Sequence, residues 1–341
     1  MADYKNIKGF NIQYLDSDPP NPIEGQMWFN STSQTLKGAE AGGFPLATWA
    51  SGGAMNTARR LQGGSGSSNT AALVFGGREI PGANTAKTES YDGTSFTEVA
   101  DLSRTNEQAY IAGAGTQNAA LAIGGASPGV LGLTEQWNGS AWTEVADLNR
   151  GPLGPQSTTY GAGSGSSTSA LYSSSDEGGN LVNRVESWDG SSWTEVSEVN
   201  TARSYGTQAG TDNTSAILAG GYSTTALSAN VETWDGSSWT ETTDINTARM
   251  RLSSGMQGST ESMLIFSGYI TDSVANTENW NGTTWTEVND MATARRSGTG
   301  SGVSTSAFQA GGQTGPTSPT VVANNEEWTV PEYVVKTFTT S

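Results

Sequence analysis

The sequence predicts an all-β chain folded as a six-bladed β-propeller, on three observations. A string of the form Trp-Asp-Gly-Ser-Ser-Trp-Thr-Glu recurs at a near-constant interval. Each copy follows an apolar run, which ends in Gly-Gly in four of the six units, and each run follows a stretch of small residues, mostly Gly, Ala and Ser. A repeat of roughly 40–50 residues marks propellers and related arrays, because each unit buries its apolar face only against a neighbour.

The clearest copies are Trp188-Asp-Gly-Ser-Ser-Trp193, Trp234-Asp-Gly-Ser-Ser-Trp239, Trp137-Asn-Gly-Ser-Ala-Trp142 and Trp280-Asn-Gly-Thr-Thr-Trp285. Tyr91-Asp-Gly-Thr-Ser-Phe96 is a weaker copy, and a truncated one ends at Trp328. A glutamate stands two residues before each first aromatic, at Glu89, Glu135, Glu186, Glu232, Glu278 and Glu326. Four strands fit each unit. Asn-Thr-Ala-Arg leads into a small-residue strand A, such as Tyr205-Gly-Thr-Gln-Ala-Gly. An apolar strand B follows, such as Ala216-Ile-Leu-Ala-Gly-Gly221. Strands C and D flank the Asp-Gly or Asn-Gly turn, a strong hairpin signal because Gly accepts positive φ without strain. Small residues suit strand A to the crowded centre of a radial array, and the aromatics of C and D suit the wedge between blades.

The sixth unit lacks its second Trp, running from Trp328 into Val330-Pro331. Leu46-Ala-Thr-Trp49-Ala50 stands where a D strand belongs, just before the first Asn-Thr-Ala-Arg. An N-terminal strand at residues 46–50 is therefore expected to complete the last blade and remove an open edge.

In these features the sequence resembles the kelch-repeat family, over about residues 46–330. The signature is Gly-Gly after strand B, followed by an aromatic and a Trp flanking a tight turn. Ser173-Ser174 and Ser267-Gly268 replace Gly-Gly in two units, and Arg104 sits early in another. A WD-type propeller has a similar period, but its Gly-His signature cannot occur here, because the chain has no His.

Composition narrows the function. The net charge is −17 with no basic cluster in the sequence, against a nucleic-acid partner. Absence of Cys and His removes disulfides, the usual general base and the usual zinc and copper ligands. The copper-radical oxidases that share the kelch fold need His ligands and a Cys-linked Tyr, so that activity is excluded. No apolar run approaches the ~20 residues that span a bilayer. The Asp189-Gly190 turn resembles a sialidase Asp box but is a residue short between Asp and Gly. Neither catalytic residues, cofactor nor metal are assigned.

Residues 1–45 form an arm outside the repeat, 46–330 the propeller and 331–341 a C-terminal tail. In the arm, Gly25-Gln-Met-Trp-Phe-Asn30 and Ser31–Lys37 read as a hairpin. It resembles a short hairpin common in bacteriophage virion proteins, especially fibre and tail components, and the repeats look like those of structural proteins of marine phages. The resemblance implies a virion protein, made in the host cytoplasm, that serves as a non-catalytic adhesion module on a tail fibre or surface appendage. Its expected partners are other virion proteins, met through Trp28 and Phe29, and a host surface protein or glycan. Assembly of copies within the particle is compatible with that role. The alternatives are a cellular kelch adaptor and a glycan hydrolase.

The B–C loops differ in every unit and share one face with the D–A links, while the A–B and C–D turns are short. Variable loops on a fixed scaffold are where binding specificity usually resides. The expected interaction residues are Arg78, Glu79, Leu131, Asp176, Glu177, Tyr222, Tyr269, Asp272 and Gln313, with the insertion Gly151-Pro-Leu-Gly-Pro-Gln156 on the same face. The repeated Arg59, Arg203, Arg249 and Arg295 and the repeated glutamates are expected to serve blade-to-blade contacts through ion pairs or carbonyl hydrogen bonds.

Overall fold

The computed structural model describes all residues except 1–11, 20–21, 23, 81, 104–108, 128, 131, 150–159, 178, 316–319 and 339–341. The chain is all-β, with a single 3-10 turn at Phe44–Leu46 among the described residues. It divides into two compact units, Met1–Ala47 with Val330–Ser341, and Thr48–Thr329.

The larger unit has a β-propeller-like architecture. Among its described residues are six four-stranded antiparallel sheets with strands in the order A-B-C-D. The first sheet is Gly63–Ser68, Ala71–Phe75, Thr88–Tyr91 and Phe96–Val99. The next four start at Ala112, Ala162, Thr207 and Ser253 and finish on the strands that begin at Trp142, Trp193, Trp239 and Trp285. The sixth takes Thr299–Val303, Ser306–Ala310 and Asn325–Thr329 from the end of the chain and Thr48–Gly52 from its beginning. Trp328 lies opposite Trp49 and Thr329 opposite Thr48, the register that joins Trp188 to Trp193 elsewhere. The strand expected at 46–50 thus starts two residues later. Leu46 ends the 3-10 turn, whose Pro45 suits a helical start.

Strand A needs glycine for space. A Cβ on Gly113 would collide with the Gly64 carbonyl oxygen of the neighbouring sheet, and one on Gly300 with that of Ser254. The strands A of successive sheets touch in order, and that of the sixth touches that of the first. The hairpin turns are held by side chains as well as by glycine. Asp189 Oδ1 accepts hydrogen bonds from the Ser191 and Ser192 amides, both at 2.8 Å. Together with the Ser191 hydroxyl, these donors hold the Asp189 carboxyl down at about 2.

The two aromatics of each unit have separate tasks. The first Trp bonds the A–B turn of its own sheet: Trp188 Nε1 donates to Ser167 O at 3.1 Å and Trp328 Nε1 to Ser304 O at 2.9 Å. The second reaches the preceding sheet. Trp142, Trp193 and Trp49 donate to the hydroxyls of Thr88, Thr134 and Thr277 at 3.0, 3.1 and 3.0 Å. In the third sheet that threonine is replaced by Val185, and the buried Trp239 Nε1 has no hydrogen-bond partner. In the fourth it is Val231, and Trp285 turns to the Thr243 carbonyl at 3.0 Å.

The arginine–glutamate pairs are buried, but they do not join one sheet to the next as expected. Arg59, Arg203, Arg249 and Arg295 pair with Glu89, Glu232, Glu278 and Glu326, each on strand C of the sheet that the arginine's own segment is about to enter. The residue three positions earlier, asparagine in three of the four and Ala292 before Arg295, completes the clamp. Asn246 donates its amide N–H and its side chain to Glu278 Oε2, and also reaches the Trp285 carbonyl. The cluster therefore fastens the incoming link onto its sheet. Sequence periodicity locates these residues without saying which of two equivalent partners, one repeat apart, each will meet.

The smaller unit is a four-stranded sheet in the order Gln13–Leu15, Met27–Asn30, Thr35–Ala41 and Tyr333–Phe338, with the first pair parallel. The expected hairpin is its centre. The segment read as a tail instead supplies an antiparallel edge strand, with Tyr333 opposite Ala41, and Gly42 and Gly43 bond the carbonyls of Glu332 and Pro331. Trp28 is fully buried, with Nε1 3.0 Å from Asp18 Oδ1. The residue expected to make the attachment is thus part of this sheet's core. Asp18 also accepts from Asn30 at 2.7 Å and Lys37 at 2.6 Å, and these donors, Lys37 foremost, hold its carboxyl at about 2. Phe29 is half-buried and stacks on the exposed Tyr14, with ring centroids 5.3 Å apart.

Candidate functional site

At the entrance to strand A, two residues beyond the repeated arginine in four links and at Tyr110 and Tyr160 in the other two, six residues stand at equivalent places. Five of the six residues there are non-glycine residues with left-handed φ: Leu61 (60°), Tyr110 (65°), Tyr205 (58°), Arg251 (56°) and Ser297 (58°). Such a conformation is uncommon for side-chain-bearing residues and costs of order 1 kcal/mol or more each. Tyr160 is the sixth. Backbone hydrogen bonds run from sheet to sheet through these positions. Leu61 N–H donates to Ser297 O at 2.7 Å, Ser297 to Arg251 at 3.1 Å, Arg251 to Tyr205 at 2.8 Å, Tyr205 to Tyr160 at 3.1 Å and Tyr110 to Leu61 at 2.7 Å. These bonds offset the strain and hold six side chains around one opening.

The opening leads to a cavity of about 120 Å³ lined by the six residues and by the layer beneath them, which includes Gln62, Ile111 and Leu252. Below it, the glycines and hydroxyl residues of all six strands A line a further cavity of about 110 Å³. At the A–B turn end, Gln257 spans between sheets. Its Nε2 donates to Gly115 O at 3.2 Å and Gly165 O at 3.0 Å, while its amide donates to Gly302 O at 2.9 Å.

The opening is chemically lopsided. Tyr110, Tyr160 and Tyr205 form a continuous aromatic arc, with successive centroids 4.3 and 3.8 Å apart. Arg251 lies over the Tyr205 ring, its Cζ 4.8 Å from the centroid. Burial pushes the Tyr110 and Tyr205 phenols up, so both are neutral at pH 7. Arg60 and Arg78 lie near the arc, and Arg296 lies near Arg251 and Arg60. Burial lowers the proton affinity of Arg60, and repulsion from Arg78 and Arg251 adds to it; Arg296 responds to burial and to Arg251 and Arg60. Among the described residues no carboxylate lies within ion-pair distance of Arg60, Arg78 or Arg251. A molecule of net charge −17 thus gathers uncompensated positive charge at one place.

Several expected interaction residues form a second row beside this ring. Arg78, Tyr222, Tyr269 and Gln313 each begin a B–C loop and bridge to the residue preceding a ring position. Arg296 lies over Tyr269, 4.6 Å from the centroid, and Arg60 bonds Gln313 Oε1. Glu79 pairs with Lys87 at 3.0 Å, and Asp272 stands 4.0 Å from Arg296. Asp176 caps a local turn by accepting from the Gly179 amide at 2.7 Å. Glu177 falls on strand B of the third sheet, extended by a bulge between Ser173 and Ser175. Leu131, Arg104 and the insertion at 151–156 lie outside the described residues.

The ring itself escapes a reading that follows what repeats. Its signal is the opposite one: within a fixed frame, the position two past the arginine differs from unit to unit, as Leu61, Tyr205, Arg251 and Ser297. Among the described residues no group of acidic side chains is arranged to hold a metal ion, and no helix is long and apolar enough to cross a membrane. The side chains at the opening offer stacking, cation–π contact and hydrogen bonds. Comparison with protein-family models and with curated proteins gives no match.

Proposed function

We propose that the larger unit is a closed, six-bladed, kelch-like propeller acting as a non-catalytic recognition module, with the opening ringed by Leu61, Tyr110, Tyr160, Tyr205, Arg251 and Ser297 at the centre of its binding face. Closure is supported by the pairing of Thr48–Gly52 with Asn325–Thr329 and by the Leu61–Ser297 backbone bond. The observation that carries the recognition role is the ring: side chains of different chemistry, five of the six held at strained backbone positions, in an otherwise repeated frame. Strain retained at a set of exposed or half-buried side chains is a mark of functional positions.

The setting we propose is a phage virion, as part of a tail fibre or surface appendage. Support comes from the arm hairpin, now the centre of the smaller sheet, and from the resemblance of the repeats to those of phage structural proteins. Mass spectrometry of purified particles tests the setting, which fails if the chain is absent from them. Exchange of the B–C loops and the ring residues tests the face. Particle adsorption to the host is expected to fall while the chain still folds, and unchanged adsorption with all of them replaced rejects the role of this face.

A further inference from the structure

The opening carries information about its occupant. Three buried or half-buried polar groups around it lack partners. Gln62 is 4% exposed and donates Nε2 to Ala310 O at 3.0 Å, yet its Oε1 accepts nothing. Ser297 is 6% exposed with an unpaired Oγ, and Arg251 has an unpaired buried Nε. Unsatisfied groups of this kind cost free energy in the empty site and are satisfied by a ligand that supplies the complementary atoms. Gln62 Oε1 needs a donor. Ser297 Oγ takes either role. Arg251, with Arg60 near it, asks for an anion, preferably a planar one that accepts a forked pair of bonds. The tyrosine arc asks for an apolar face.

Shape adds a further restriction. At the far end of the strand A cavities Gln257 ties its own sheet to three others, so we take the ring as the way in for an occupant. A cavity of about 120 Å³ matches one ring-sized group. A chain end fits such a site, and the middle of an extended polymer does not.

We propose that this opening binds the terminal residue of an acidic glycan, one pyranose carrying a carboxylate, with its C–H face on the Tyr110–Tyr160–Tyr205 arc, its carboxylate on Arg251 and its hydroxyls on Gln62 and Ser297. The inference rests on the recognition role assigned to this face and supplies the ligand class. An acidic peptide side chain would satisfy Arg251 but bring no hydroxyl donor to Gln62 and no face for the aromatic arc.

The test uses the full chain and three probes in ligand-observed NMR titrations: methyl glucuronide, methyl glucoside and acetyl-glutamate amide. The glucuronide is expected to bind about tenfold more tightly than either of the others, the effect of one charge-assisted hydrogen bond. Arg251→Gln should reduce glucuronide affinity about tenfold and leave the glucoside unchanged, while Tyr160→Ala weakens both sugars. Should a variant fail to fold, the glucuronide–glucoside comparison and the ligand-induced shifts of tyrosine ring protons in the unaltered chain decide alone. Equal binding of the two sugars, no binding of either, or tighter binding of the glutamate amide overturns the proposal. Because these titrations need no particles, a negative result rejects the ligand while detection of the chain in virions still stands.

Discussion

Two belts of side chains run through the same six sheets and follow opposite rules. At the start of strand D five sheets carry Trp and one Phe96, and every one is paired with the aromatic across its hairpin at 4.5–5.5 Å. At the entrance to strand A the sheets carry Leu, Tyr, Tyr, Tyr, Arg and Ser. The first belt meets the neighbouring sheet, an environment that recurs from unit to unit apart from exchanges at one position, such as Val for Thr in two of them, so one solution repeats. The second faces a cavity that all six share, and a shared cavity needs only one set of side chains between them. Repetition therefore marks what sheets owe to each other, and its loss marks what they present jointly.

Substitutions in matched positions of the two belts sharpen this contrast. The largest effect is expected at Trp49→Ala, which removes a Trp from the strand supplied by the other end of the chain. Loss of about 3–5 kcal/mol is expected in urea unfolding. Tyr160→Ala should cost no more than about 1 kcal/mol, and a comparable loss there would break the contrast.

Arg249 and Arg251 stand two residues apart on opposite sides of the same distinction. Arg249→Ala leaves Glu278 buried without its cation and is expected to cost about 3–5 kcal/mol. Arg251→Ala loses a half-buried stacking contact and is expected to cost about 1 kcal/mol or less. Thermal melts of the two variants side by side measure the difference.

A smaller, stabilising change tests the account of the tryptophan belt. Val185→Thr restores the hydroxyl that Trp142, Trp193 and Trp49 find in their preceding sheets. A gain of about 1 kcal/mol is expected, and the indole N–H of Trp239 should show slower hydrogen exchange. Unchanged exchange would mean that the acceptor is not what Trp239 lacks.

The least change is expected on acidification of the smaller unit. Asp18 has its carboxyl lowered from 3.8 to about 2 by Lys37, Asn30 and Trp28. A group depressed on folding stabilises the fold above its ordinary value, and that contribution is lost as pH falls through the folded one. The Trp28 indole resonance should therefore move between about pH 4 and pH 2, and in Asp18→Asn that movement should vanish.

Legibility in the sequence followed the same division. The hairpin turns, the strand order and the displaced fourth strand at Trp49 are written in residues that recur, and periodicity locates them. Tyr333-Val-Val-Lys-Thr-Phe338 is rich in the β-branched and aromatic residues that favour strands, but its partner at Thr35–Ala41 lies almost a whole chain away, and nothing local marks the pairing. Trp28 beside Phe29 looks like an exposed aromatic pair until Asp18, ten residues earlier, is seen to take its N–H. Arg78, Tyr269 and Gln313 were legible because loop variation is visible, whereas Tyr110 and Tyr160 follow less regular copies of the link motif and sit in no loop.

The way the chain passes between its two units has a consequence for cleavage. It enters the larger unit at Thr48 and leaves at Thr329, two residues that face each other across one ladder, and both flanking segments belong to the smaller sheet. The larger unit is thus an insertion within the smaller one. A protease that cuts after Ala47 releases no fragment while the ladder from Leu36 to Ala41 holds Tyr333–Phe338. A cut after Thr329 leaves the first connection intact. Parting the units requires both cuts, or one cut together with the melting of that ladder.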